Sequence, residues 1–123
     1  MTGILGNYEN CESNPEKLGL SIFGRLEASK AYYGFHELIV WRQDATGDLF
    51  YASDEGCSCP APFEDYRSVE DLEPLTDYKK FSDDVHEWMN DSTVTDGDRV
   101  EAVQLLAKVA LYRNNAHQRR GPA

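Results

Sequence analysis

Residues 32–52, YYGFHELIVWRQDATGDLFYA, decide the fold. Tyr32 to Arg42 is rich in aromatic and β-branched side chains, with Phe35, Glu37, Ile39 and Trp41 alternating against His36, Leu38 and Val40. That composition and period suit a pleated strand. Asp44 then supplies a turn-opening side chain and Gly47 a residue free to take positive φ, after which Leu49 to Ala52 reads as the returning strand. Upstream, Leu20, Ile22, Leu26 and Ala28 alternate with Ser21, Phe23, Arg25 and Glu27, so a further strand is expected, with Gly24 marking a bulge. The three strands are expected to form an antiparallel meander.

Two helices follow. Tyr78, Phe81, Val85 and Trp88 share one stripe of a helix expected from about Thr76 to Met89, whose other face carries Asp77, Lys80, Asp84 and Glu87. Asp98 and Glu101 are spaced like a capping box after Thr95, Asp96 and Gly97, and predict a last helix through Val100 to about Asn114. Its apolar residues cover more circumference than one small sheet would bury. Either it is central to the fold, or a homodimer forms through this C-terminal helix, with Leu105 and Val109 meeting a second subunit. The expected class is therefore α+β: a three-stranded antiparallel β-meander followed by two C-terminal helices packed on one face. Residues 1–17 read as an irregular N-terminal arm, and 115–123 as a frayed basic tail, within a single domain spanning 1–123.

A chain of 123 residues buries roughly two-thirds of its unfolded surface, enough for a self-sufficient core. The longest apolar runs fall far short of the roughly 20 residues that span a bilayer, so no membrane association is expected. Neither a basic n-region nor an apolar h-region opens the sequence, and three cysteines do not make a disulfide framework, so a cytoplasmic location is expected. The net charge is −10, which disfavours direct nucleic-acid binding. The charge is uneven. Ten acids lie between Glu64 and Asp91 against Arg67, Lys79 and Lys80, whereas residues 98–123 hold five bases against Asp98 and Glu101.

Residues 53–74 read as one long connection with a turn of helix beginning near Pro62. Within it Cys57 and Cys59 could share a metal or perform thiol chemistry, with His36 or His86 as a neighbouring base. Yet structural zinc sites space such pairs by two to four residues and require a second pair. The plainer reading makes the cysteines small apolar anchors, and no cofactor is expected. No phosphate-binding glycine loop, H-E-x-x-H or G-x-S-x-G occurs. The same region interleaves acids with Pro60, Pro62, Phe63 and Tyr66, a rim-and-anchor composition suited to a basic protein surface. Pro60, Pro62, Phe63, Glu64, Asp65, Tyr66, Asp83, Asp84 and Glu87 are the expected partner-binding residues. A special case is mimicry of nucleic acid, with carboxylates standing in for phosphates.

The stretch from Gly56 through Cys57, Ser58, Cys59, Pro60, Ala61, Pro62, Phe63, Glu64 and Asp65 to Tyr66 resembles a loop found in a family of short uncharacterised proteins of actinobacterial phages. The likeness runs from Glu37 to Leu72, about a third of the chain. It implies a phage protein acting in the bacterial host cytoplasm and carries no catalytic residues. The leading expectation is a non-enzymatic accessory protein that binds a host or phage protein. Metal- or thiol-dependent activity at Cys57 and Cys59 and a nucleic-acid-mimicking inhibitor are the alternatives.

Overall fold

The computed structural model describes residues 10–32, 34–57 and 62–120, with the side chains of all of these except 57 and 117–120. Four strands, β1 (Leu20–Glu27), β2 (Gly34–Gln43), β3 (Leu49–Cys57) and β4 (Glu73–Pro74), form one antiparallel sheet in sequential order. Two helices follow, α1 (Tyr78–Met89) and α2 (Asp96–Arg120). The α+β class is as expected, but a fourth strand closes the meander. It is two residues long, and one of them is Pro74, so propensity gave no sign of it.

The hairpin turn is built as its residues dictate. Gly47 takes φ 80°, its N–H donates to Gln43 O at 2.7 Å, and Gln43 N–H donates to Asp48 O at 2.8 Å. On β1 the alternation breaks: Ile22 pairs with Trp41, but Gly24 pairs with Val40, leaving Phe23 as the extra residue of a β-bulge. A one-residue slip exchanges the two faces of a strand. Leu20 therefore joins Ile39 and Trp41 on one side, while Leu26 joins Leu38 and Val40 on the other. The single apolar face expected for Leu20, Ile22 and Leu26 is corrected by this bulge.

Both faces of the sheet are consequently covered. Leu38, Val40, Tyr51, Phe81, Val85, Trp88, Leu105 and Val109 form the larger core, under the helices. Cys11, Leu20, Ile39, Trp41, Ala52, Phe63 and Leu72 form the smaller one, under the N-terminal segment and the 62–72 connection. Trp41 Nε1 donates to Cys11 O, and Cys11 N–H to Tyr66 O, both at 2.8 Å, which lashes the two coverings together. The N-terminal arm is more regular than expected, ending in a 3₁₀ turn over Pro15–Leu18. The helical turn expected near Pro62 lies later, at Val69–Asp71, where Asp71 accepts from the amides of Arg67 and Ser68.

Asp77 caps α1 by accepting from the amides of Lys79 and Lys80. The capping box of α2 lies three residues earlier than expected. Thr95 Oγ1 accepts from Asp98 N–H, and Asp98 Oδ2 accepts from Thr95 N–H, so the capping box is Thr95 with Asp98 rather than Asp98 with Glu101. The helix also continues to Arg120, through residues expected to fray. Leu105 and Val109, expected at a subunit interface, are buried in the chain's own core, and Gly24 opens room for the first of them: a Cβ there would sit 2.4 Å from Leu105 Cδ1. The large apolar residues that α2 leaves exposed are Val100, Val103 and Leu111. No helix among the described residues is long and apolar enough to cross a membrane.

Candidate functional site

The far half of β3 carries the site. Ser53 to Cys57 has little strand propensity, yet it pairs with Leu38 back to Gly34, so it is drawn into the sheet by its partner and not by its own residues. The expected boundary at Ala52 is thus corrected by five residues. That extension places His36 opposite Glu55 and sets both beside the C-terminal end of α1. Two clefts that share Tyr51, Ser53 and Asp84 run along this side of the molecule, the larger of about 540 Å³.

Among the described residues the clefts are lined by Glu55, Glu70, Asp71, Glu73, Asp84, Glu87 and Asp91, with Lys80 as the one lysine or arginine. Lys80 is already engaged: its Nζ lies 3.0 Å from Asp84 Oδ2 and 3.2 Å from Tyr51 Oη. Those partners raise its pKa, and they leave the cleft strongly negative. Tyr51 donates to Asp84 at 2.5 Å. Burial, reinforced by that hydrogen bond and opposed by Lys80, pushes its phenol up to about 12, so it remains a donor at neutral pH.

At the other end of the larger cleft, His36, Glu55 and Asp91 converge, with one ligand atom of each within 4.8 Å of the others. The His36 ring stacks on Trp88, with centroids 5.1 Å apart and planes 9° apart, and Nε2 lies 3.1 Å from Trp88 O. Its Nδ1 faces Glu55 Oε1 at 3.1 Å. Asp91 accepts from both the hydroxyl and the amide of Thr93; these bonds, against burial and with help from His36, lower its pKa.

A second charged cluster on the opposite face is structural. Arg25 reaches Glu12 at 2.7 Å and Glu37 at 3.0 Å, tying the N-terminal segment to the sheet. Burial raises the pKa of Glu37 even against the guanidinium.

The expected partner-binding residues divide. Asp83 and Glu87 are exposed on α1, with Asp83 paired to Lys79 at 2.9 Å, and Glu87 lines the larger cleft. Asp84 is half-buried and spent on Tyr51 and Lys80. Phe63 cannot be a docking anchor. It is fully buried, edge-on to Trp41 at 5.7 Å, with its amide donating to Asp54 and its φ at 59°. Tyr66 packs on Phe63 and donates to Ser53 O, while Pro62, Glu64 and Asp65 follow the same turn on the smaller-core side. Pro60 and Cys59 lie outside the described residues, as does the Cys57 side chain, and Cys11 is buried and free. His36, Glu55 and Asp91 were not grouped by sequence. The hairpin register that pairs Trp41 with Phe50 also pairs His36 with Glu55, and would have joined those two.

The fold and site define a small α+β domain with a sheet covered on both faces and an acidic cleft along the β3 side. The chain belongs to the family described as Domain of unknown function (DUF7574), which matches residues 9–114. No curated protein and no solved structure matches it.

Proposed function

We propose that this chain is a phage-encoded accessory protein that binds, without catalysis, a host or phage protein with a basic surface in the bacterial cytoplasm. The observation that supports this reading is the lining of the two clefts among the described residues: seven carboxylates, and a single lysine already committed to Asp84 and Tyr51. Clefts with one sign of charge and low-dielectric walls focus the field and steer an oppositely charged partner. The docking surface is the rim of these clefts carrying exposed Glu73 and Glu87, with Asp83 one turn before Glu87 on α1, and not Phe63, which is spent on the smaller core with Tyr66 packed against it.

The test is capture of a partner from host lysate at low salt, followed by affinity measurement with the purified partner. Paired Glu73→Lys and Glu87→Lys substitutions should weaken it at least about tenfold and flatten its salt dependence. Glu101→Lys on α2, which lines neither cleft, should change little. Affinity indifferent to both salt and the paired reversal would overturn the reading.

A further inference from the structure

His36 is oriented as a metal ligand is. A carbonyl only accepts, so the 3.1 Å contact from Nε2 to Trp88 O places the hydrogen on Nε2, and the stack on Trp88 fixes the ring plane. Histidines that bind metals characteristically donate their other N–H to a carbonyl or carboxylate in this manner. In the neutral ring the lone pair of Nδ1 then faces Glu55 Oε1 at 3.1 Å. Two acceptors at that distance repel one another unless a positive species lies between them. Either a second proton on the ring or a cation would serve, and two ligands bound about 2.1 Å from one ion stand about 3.0 to 3.4 Å apart. A proton alone would satisfy the pair, but Asp91 also converges, with its ligand atom within 4.8 Å of both.

We propose that His36 Nδ1, Glu55 and Asp91 form a binding site for a divalent transition-metal ion of the zinc class. One imidazole nitrogen and two carboxylates favour such an ion over magnesium or calcium, which prefer oxygen alone. Three protein ligands leave coordination positions for water, and the 540 Å³ cleft, lined by His36, Glu55 and Asp91, gives that water a place. The ligands come from three elements: the start of β2, the far half of β3 and the turn after α1. The proposal does not rest on the partner-binding reading, because the ion is measured on the isolated chain and uses none of the residues reversed in that test.

The experiment is calorimetric titration of the metal-stripped full chain with zinc, in excess magnesium. One ion per chain is expected. Glu55→Gln should weaken binding at least about tenfold, since loss of a mere supporting partner costs that much. Glu55 is 73% exposed, so this variant keeps the fold, which an unchanged melting temperature verifies. His36→Gln should abolish binding, and Cys57→Ser with Cys59→Ser should leave it unchanged. Nitrogen NMR of the His36 ring supplies a separate readout: added zinc should shift Nδ1 in the parent chain and not in Glu55→Gln. Absence of saturable zinc binding, equal affinity in Glu55→Gln, or loss of the ion in the cysteine variant would each overturn the assignment. A His36 ring protonated on both nitrogens and insensitive to zinc would do the same.

Discussion

Replacing Asp98 by alanine should cost about 3 kcal/mol, more than any other single exposed-loop or helix-end carboxylate. The side chain is buried and accepts from Ser29 N–H at 2.7 Å, Ser29 Oγ at 2.5 Å and Thr95 N–H at 2.9 Å. One of these bonds caps α2, worth about 1 kcal/mol. The other two fasten the β1–β2 turn to the helix, and hydrogen bonds to an ionised group contribute about 1.5 to 3 kcal/mol each. Water partly replaces the lost acceptor at Ser29, which is exposed, so the sum falls below full additivity. Urea unfolding followed by tryptophan fluorescence should show a midpoint lower by about 2 M at an m-value of about 1.5 kcal/mol/M. Glu101→Ala, the box partner expected from spacing, should stay within about 0.5 kcal/mol. Acid titration gives an independent check. Burial alone would raise the pKa of Asp98, but the bonds from Ser29 and Thr95 hold it at about 2. With the folded value below the unfolded one, the contribution is complete above about pH 4 and is lost as pH falls toward 2. Asp98→Asn should lack that loss. A cost below about 1 kcal/mol for Asp98→Ala, or a larger one for Glu101→Ala, would refute the reasoning.

Phe63→Ala should destabilise by about 3 to 5 kcal/mol, measured by denaturant unfolding, because it empties the centre of the smaller core while leaving the strained positive φ in place. Partner affinity measured well below the melting transition should be unaffected. Cys11, pushed up to about 11 by burial with Asp71 adding to it, should resist thiol reagents in the native Cys57→Ser, Cys59→Ser chain and react only on unfolding; rapid native labelling would contradict this. Tyr51 should be among the last phenols to ionise. Its folded pKa near 12 lies above the unfolded value, so its contribution to stability holds below about pH 10 and is lost as pH rises toward 12, and Tyr51→Phe should remove that portion of the alkaline slope.

The elements whose own residues set their structure were legible in the sequence. The Gln43 to Asp48 turn and the α1 stripe of Phe81, Val85 and Trp88 are local patterns, and both stand as read. Misreadings arose where a distant partner decides. Ser53 to Cys57 became strand because β2 offers it hydrogen bonds. Asp98 with Glu101 has the spacing of a box, but Asp98 instead pairs with Thr95 and also holds Ser29, 69 positions away, a partner no local pattern shows. The end of α2, expected near Asn114 before a frayed basic tail, lies at Arg120, and no glycine or proline falls between Asn114 and Gly121. Phe63 looked like a docking anchor because nothing local shows that Trp41 waits for it. The His36, Glu55 and Asp91 group draws on two cross-strand partners and a turn after a helix, so no sequence spacing could contain it.

The bulge at Phe23 bears on which surface a partner can use. By turning Leu20 and Leu26 to opposite faces, it requires a covering on each side of the sheet. The 62–72 connection is consumed as one of those coverings and returns to the sheet only at β4, which pairs with Phe50 and Tyr51 alone. The rest of β3 is therefore an edge, and an open edge invites strand addition. Here two of its groups are occupied: Ser53 O accepts from Tyr66, and Glu55 N–H donates to Asp54 Oδ1. Asp54 Oδ2 also holds Phe63 N–H, so freeing the edge would unseat the smaller core. A partner adding a strand would have to break these bonds before making its own, whereas one docking on the carboxylates of the cleft breaks none of them. The charge lining the cleft, and not the edge beside it, is the surface that the proposed basic partner would meet first.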